Sequence, residues 1–174
     1  VTLCFEMQVA DMLHNPIKLK RFHDEIGPVV ACNFDISHMW AQHIDPIAAM
    51  RYLGPLIQHV HLKDTYINQE VCRLHGMNNT TTSHRPEDRS WNFTKVGWGH
   101  DEATWREVIT TLRFIGYEDI LSLEMECEYM DVEEAIRKSA EFIKPIMFEQ
   151  SEYTKWWEYA TWQAQRHVKP QAGE

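Results

Sequence analysis

The chain has 174 residues, of which 44% are apolar and 25% charged; these proportions exclude a disordered chain, a collagen and a small disulfide scaffold. A formal net charge of −9, from 26 acidic and 17 basic residues, argues against a nucleic-acid partner, because neutralising phosphates needs Lys and Arg in excess. No apolar run approaches the ~20 residues of a membrane-spanning helix, so no membrane partner is expected.

Residues 2–6 form a short apolar run that ends on a carboxylate, Glu6. Residues 16–26 place Ile17, Leu19, Phe22 and Ile26 at helical spacing, with Gly27 as a stop and Pro28 as a breaker. A second apolar run, 29–34, ends at Asp35. Asp45-Pro46 then reads as N-cap and first residue of a helix through Leu53, closed by Gly54. A third run, 56–60, ends at His61. The stretch from about 63 to 99 is polar, shows little periodicity and reads as one long loop. Asp101 caps a helix whose apolar positions are Trp105, Val108, Ile109, Leu112 and Ile115, with Gly116 at its end. A fourth run, 120–123, ends at Glu124. Asp131-Val132-Glu133-Glu134 resembles a capping box for a helix to about Ile143. The tail is aromatic and amphipathic, with Trp156, Trp157, Tyr159 and Trp162.

Short apolar runs alternating with helices imply parallel strands joined by helical crossovers. Runs without alternation suit strands that are covered on both faces. The expected fold class is α/β, with parallel (β/α) units and about four strands. Residues 1–150 form the expected domain and residues 151–174 a helical tail. Cys4, Cys32, Cys72 and Cys127 are widely spaced, with no CxxC pair. They read as reduced thiols. The opening residues carry no secretory signal pattern, and a cytoplasmic location is expected.

Each predicted strand ends in a potential metal ligand: Glu6, Asp35, His61 and Glu124. The C-terminal strand ends of a parallel sheet share one rim, so these four residues can converge. One such carboxylate alone is more simply a helix cap or a solvated loop residue. Four at strand ends point to a divalent cation such as Mn²⁺, Mg²⁺, Co²⁺ or Zn²⁺. Asp35-Ile36-Ser37-His38 adds a second imidazole, for metal, for a substrate hydroxyl or for a structural hydrogen bond. His59 shares the strand face of His61 and reads as a packed residue. Lys63 and Asp64 are expected at the mouth, where Lys63 contacts an anionic or polyol substrate or makes a solvated ion pair. Gly97-Trp98-Gly99-His100 supplies two glycines, for close backbone approach or for a simple turn.

Six blocks carry a family resemblance. They are Cys4-Phe5-Glu6-Met7, Asn33-Phe34-Asp35-Ile36-Ser37-His38 and His59-Val60-His61-Leu62-Lys63-Asp64-Thr65. The others are Arg89-Ser90-Trp91-Asn92-Phe93, Val96-Gly97-Trp98-Gly99-His100-Asp101 and the run from Gly116 to Glu124. Together they resemble the sugar phosphate isomerase/epimerase family of xylose isomerase-like TIM barrels, over residues 3–143. The resemblance implies an eight-stranded barrel with its active site at the C-terminal rim, of which this chain is the C-terminal half. It implies that Glu6, Asp35, His61 and Glu124 hold a divalent metal, that Glu6 and Glu124 flank the substrate as acid/base residues, and that His38 contacts substrate or metal. Three positions depart from the family pattern. Gln8 and Met125 stand where His is usual, and Cys127 stands where an acid is usual. Gln8 can hydrogen-bond but cannot shuttle protons, and Met125 does neither well.

A complete barrel of this type needs ~250 residues, so this chain has room for about four βα units. Three states are expected: a fragment of a longer protein, favoured by the missing initial Met and the start on a strand; a partnership with a separate N-terminal half; or a homo-oligomer of half-barrels around a two-fold axis. The expected function is metal-dependent isomerisation or epimerisation of a small sugar or sugar phosphate, by proton abstraction next to a carbonyl. The alternative is a non-catalytic or degenerate metal-binding subunit of the same fold. An endonuclease IV-like phosphodiesterase would need several more His ligands and a basic groove, and the acidic charge argues against it.

Overall fold

The computed structural model describes residues 1–78 and 85–148; the expected tail at 151–174 lies outside them. The strands are β1 (Leu3–Glu6), β2 (Val30–Asp35), β3 (Ile57–Leu62), β4 (Asp64–Ile67), β5 (Trp91–Thr94) and β6 (Leu121–Leu123). The helices are α1 (Pro16–Ile26), α2 (Ile36–Ala41), α3 (Pro46–Leu53), α4 (Gln69–His75), α5 (Glu102–Phe114) and α6 (Val132–Ile143). The four predicted strands form one parallel sheet in the order β1-β2-β3-β6.

The helix starts follow from their caps. The Asp45 carboxylate accepts from the Ile47 and Ala48 amides, with Pro46 supplying a pre-set φ at the first helical position. Asp101 does the same for Thr104, and Asp131 for Glu133 and Glu134. Residues of β2 are buried on both faces, as its unbroken apolar run requires. Phe34, Val60 and Trp105 are fully buried in the layer between sheet and helices. Each side chain of this size contributes about 1.5–3 kcal/mol by leaving water. Helix α6 buries Ala135, Ser139 and Ile143, a four-residue repeat that defines one face.

Two features correct the sequence reading. Residues 63–99 are not one loop. They hold β4 and β5, paired antiparallel, with α4 between them. Trp91 and Phe93 alternate with Asn92 and Thr94, and the polar pair is the buried one. Asn92 donates to the Pro86 carbonyl at 2.8 Å. A strand whose inward residues are polar and hydrogen-bonded carries no apolar signature. The second feature is α2, which follows β2 directly. All six of its residues are buried, so it lacks the polar face that reveals a helix.

The glycine pair serves close approach. A Cβ on Gly99 would lie 2.1 Å from the Thr65 carbonyl oxygen, which is backbone and cannot swing away. Gly97 adopts φ +78° against the Phe142 ring. Gly99→Ala is therefore expected to destabilise the fold by ~3 kcal/mol through overpacking. A urea denaturation midpoint equal to the parent's would contradict this.

Candidate metal centre

Register places the site. Glu6 pairs with Asn33, Asp35 with His61, and His61 with Ser122, so the C-terminal ends of β1, β2 and β3 come level with the exit of β6. A register shift between Cys32 and Asn33 brings Asp35 opposite His61. The result joins the four predicted ligands: one donor atom from each of Glu6, Asp35, His61 and Glu124 lies within 4.8 Å of all the others. His61 Nδ1 is 3.1 Å from Glu6 Oε2 and 3.2 Å from Glu124 Oε2.

The donor set fits a divalent cation. Asp35 Oδ1 caps α2, accepting from the Ser37 amide at 2.9 Å and the Ser37 hydroxyl at 2.7 Å. Its other oxygen, Oδ2, is buried without a well-directed hydrogen bond, with the Lys63 ammonium at 3.0 Å and His38 Nε2 at 3.8 Å. Buried polar atoms normally find partners, and a carboxylate oxygen facing two more carboxylates and an imidazole suits a hard or borderline cation.

His38 comes from α2 and is buried. Its Nδ1 accepts from the Val9 amide at 3.3 Å, which leaves the proton of the neutral ring on Nε2. That nitrogen lies 3.4 Å from Glu6 Oε1 and 3.8 Å from Asp35 Oδ2. His38 thus faces the centre as a donor.

Lys63 and Asp64 do not stand at an open mouth as a solvated pair; both are fully buried. Strand β3 turns into β4 here, and the β4–β5 layer covers them. Lys63 Nζ contacts Glu124 Oε2 at 2.7 Å and Glu126 Oε1 at 2.5 Å besides Asp35, with the Phe93 ring 4.3 Å away. Asp64 binds elsewhere. Its Oδ2 accepts from the four successive amides of Gly97, Trp98, Gly99 and His100 and from the Trp105 indole. The 97–100 motif therefore wraps a carboxylate of its own chain, and His100 stacks on Trp40 at 3.8 Å. His59 sits beneath the centre, 3.2 Å from the Ser122 hydroxyl.

Charge around the centre is uneven. Burial pushes the Glu6 carboxyl upward, but His38, the Gln8 amide and His61 outweigh it and hold the group at about 2. Burial wins at Asp35, which is pushed up to about 6 despite Lys63 and His38. At Glu124 burial is overcome, chiefly by Lys63, and the carboxyl lies below its usual range. Burial would lower the Lys63 ammonium, yet Asp35, Glu124 and Glu126 raise it.

Three neighbours escaped the sequence reading. Asn33 donates to Glu6 Oε2 at 2.8 Å, Glu126 reaches Lys63, and Phe93 packs its ring 4.9 Å from that of His38. Asn33 is two residues before Asp35, and Glu126 two after Glu124, so the strand period of two could have found both. Phe93 came from a stretch read as loop. Trp91 lies 5.0 Å from Phe93 and extends the aromatic wall away from the centre.

A run of βα units with a carboxylate–imidazole cluster at the C-terminal strand ends is the arrangement of a (β/α)-barrel rim site. Residues 1–146 match the family described as xylose isomerase-like TIM barrel, and the chain belongs to that family. It is 38% identical over 135 residues to the uncharacterized protein YfiH of Bacillus subtilis (strain 168), covering 78% of this chain and 43% of that protein. The fold is similar to a xylose isomerase domain protein from Planctomyces limnophilus, with TM-score 0.58 and 20% identity over 83% of this chain and 44% of that one. It is also similar to the probable 3-DHS dehydratase AsbF from Bacillus anthracis, with TM-score 0.54 and 18% identity over 81% and 47% of the two chains. An L-ribulose 3-epimerase gives TM-score 0.50 and 19% identity over 99% and 52%. The chain thus spans about half the length of the proteins it matches. The three solved structures speak for the fold alone. Among the described residues, no helix is long and apolar enough to cross a membrane. The four cysteines are free thiols.

Proposed function

We propose that this chain supplies the metal-binding side of an enzyme that isomerises or epimerises a sugar or sugar phosphate by moving a proton next to a carbonyl. The convergence of Glu6, Asp35, His61 and Glu124 within 4.8 Å carries the reading. A bound Mn²⁺, Mg²⁺, Co²⁺ or Zn²⁺ would polarise the substrate carbonyl and offset negative charge as the proton leaves. Glu6 and Glu124 approach the centre from the two outer strands of the sheet, so they can flank a substrate between them. Both carboxyls are held below their usual range, hence ionised near neutral pH, the form that binds a cation. The His38 Nε2–H is placed to donate to a substrate oxygen. Phe93 and Trp91 offer a half-buried wall for the C–H face of a sugar. Elimination in a dehydratase of this fold, such as the one named above, can begin with the same proton removal, and the residues here would serve it equally.

Glu124→Gln keeps the side-chain shape and removes the base. It is expected to lower exchange of the substrate α-proton with D₂O at least ~100-fold, from the usual contribution of a positioned acid–base group. Exchange at the parent rate, followed by NMR across a panel of ketoses and their phosphates with Mn²⁺ present, would remove Glu124 from this role.

A second reading is a degenerate metal-binding domain. One observation favours it: Gln8, a residue that cannot transfer protons, occupies Glu6 Oε1 at 2.9 Å. Mn²⁺ uptake without turnover of any ketose would select this reading. In either case β1 and β6 form the open edges of the described sheet. We assign them to further parallel strands, from the same polypeptide, a separate N-terminal half or a second copy. A dimer mass in light scattering would identify the last of these.

A further inference from the structure

The Lys63 ammonium touches two of the four proposed ligands at once, 3.0 Å from Asp35 and 2.7 Å from Glu124. An ammonium has three N–H donors. Two of them bond Glu124 and Glu126, at 2.7 and 2.5 Å; the Asp35 oxygen is a charge contact at 3.0 Å without a well-directed hydrogen bond, and the Phe93 ring lies 4.3 Å away. The side chain is completely buried. Nothing on this nitrogen is left for a substrate unless one carboxylate lets go.

Its position is paradoxical if charge alone counts. A cation beside a cation site repels the incoming ion, more so away from bulk water. Two of the three carboxylates it binds are nevertheless proposed ligands, and they come from different strands, β2 and the exit of β6. Glu124 lies just past the three-residue strand β6, where little secondary structure fixes its direction. A buried ammonium held between Asp35 and Glu124 sets the distance between them. Glu126 is about half exposed and grips the same ammonium from the solvent side.

We propose that Lys63 is a positioning residue: with Glu126 as its outer anchor, it holds Asp35 and Glu124 in the spacing that a divalent cation needs, rather than binding substrate. The inference rests on the metal reading above. It predicts a sign that a mere counter-charge cannot produce. If Lys63 only neutralises carboxylates, removing its charge strengthens cation binding. If it spaces the ligands, removal weakens binding, by about 10–100-fold as for other groups that orient metal ligands.

The test is titration of the full 174-residue chain with Mn²⁺ alone, with free Mn²⁺ read by electron paramagnetic resonance well below the thermal midpoint of every variant. Lys63→Met should raise the Kd at least about 10-fold while circular dichroism stays folded. A purely structural role would lower the thermal midpoint and leave the Kd of the folded chain unmoved. A Kd equal to or below the parent's in Lys63→Met overturns the proposal. Should Lys63→Met fail to fold, Lys63→Arg keeps the charge and changes the reach; it should also weaken binding, and parent-level affinity there overturns the proposal too. No Mn²⁺ uptake by the parent chain removes the metal reading itself, and this inference with it. Uptake by the parent with tighter uptake by Lys63→Met refutes the positioning role alone.

Discussion

Replacing Asp64 by Ala is expected to cost about 3–5 kcal/mol of folding stability, the usual loss when one partner of a buried charge network is removed. Oδ2 of this fully buried carboxylate accepts from the amides of Gly97, Trp98, Gly99 and His100 at 3.0, 3.2, 3.1 and 3.1 Å, and from the Trp105 indole at 3.1 Å. Oδ1 accepts from the Thr65 amide at 2.8 Å and meets His100 Nδ1 at 2.7 Å. Without the carboxylate these donors lose their acceptor inside the protein, and each unsatisfied one carries a desolvation penalty. The loop also loses what ties it to β4, and α5 loses the hydrogen bond from its fully buried Trp105 indole. For a chain of this size the loss corresponds to a fall in Tm on the order of 10 °C. Asp64→Asn keeps one acceptor oxygen and should fall between the two. Differential scanning calorimetry decides it: a Tm for Asp64→Ala within about 2 °C of the parent's, under ~1 kcal/mol on that scale, would mean that this hydrogen-bond cradle is not what holds the loop.

Asp35→Asn is expected to have an equally large effect of a different kind, with Mn²⁺ affinity falling at least ~100-fold while the metal-free fold persists. The variant loses one carboxylate of the donor set, and the cation loses a full opposing charge in a site with little water. Asn keeps an oxygen to cap α2 where Asp35 Oδ1 now accepts from Ser37. The metal-free stability follows from the sign of the Asp35 shift. Its pKa is raised to about 6, mainly by burial. The folded chain therefore binds this proton more tightly than the unfolded chain does, and the Asp35 contribution falls as pH rises through about 6. A neutral Asn removes that dependence. The metal-free variant should match or exceed the parent in stability at pH 7, offset in part by the weaker partner left for Lys63. Isothermal titration with Mn²⁺ and urea denaturation without it test the two halves. Parent-like affinity in Asp35→Asn would exclude Asp35 from the ligand set.

Asp35 and Asp64 are linked through consecutive residues, Lys63 and Asp64, pulled in opposite directions. Lys63 turns toward Asp35, Glu124 and Glu126, while Asp64 turns toward the 97–100 loop and α5. The β3–β4 junction thus fastens the proposed metal centre to the antiparallel β4–β5 layer. Movement of that layer would disturb Lys63 directly, and through it two of the four proposed ligands.

Much of this was legible in the sequence, and for local reasons. Asp45, Asp101 and Asp131 cap helices because short polar side chains satisfy free amides wherever a helix starts, whatever surrounds it. Strand β2 shows as an unbroken apolar run because both its faces are covered, whereas β1 and β6, at the edges of the sheet, are only partly buried. Glu6, Asp35, His61 and Glu124 stood out because each follows such a run directly. What failed was local pattern in places where burial is polar. The β4–β5 pair hides Asn92 and Thr94, and α2 hides Ser37 and His38; in both, hydrogen bonds replace the apolar contacts on which periodicity depends.

The amino-acid order by itself determined the βα alternation, the helix ends and the kinds of donor atoms available, since each depends on residues within a turn or a strand of one another. Tertiary structure alone decided the register that levels Asp35 with His61, the burial of Lys63 among three carboxylates and the wrapping of residues 97–100 around Asp64. Those contacts join residues that lie between 26 and 63 positions apart. Their geometry depends on how separate elements pack, and no short-range pattern in a chain records that.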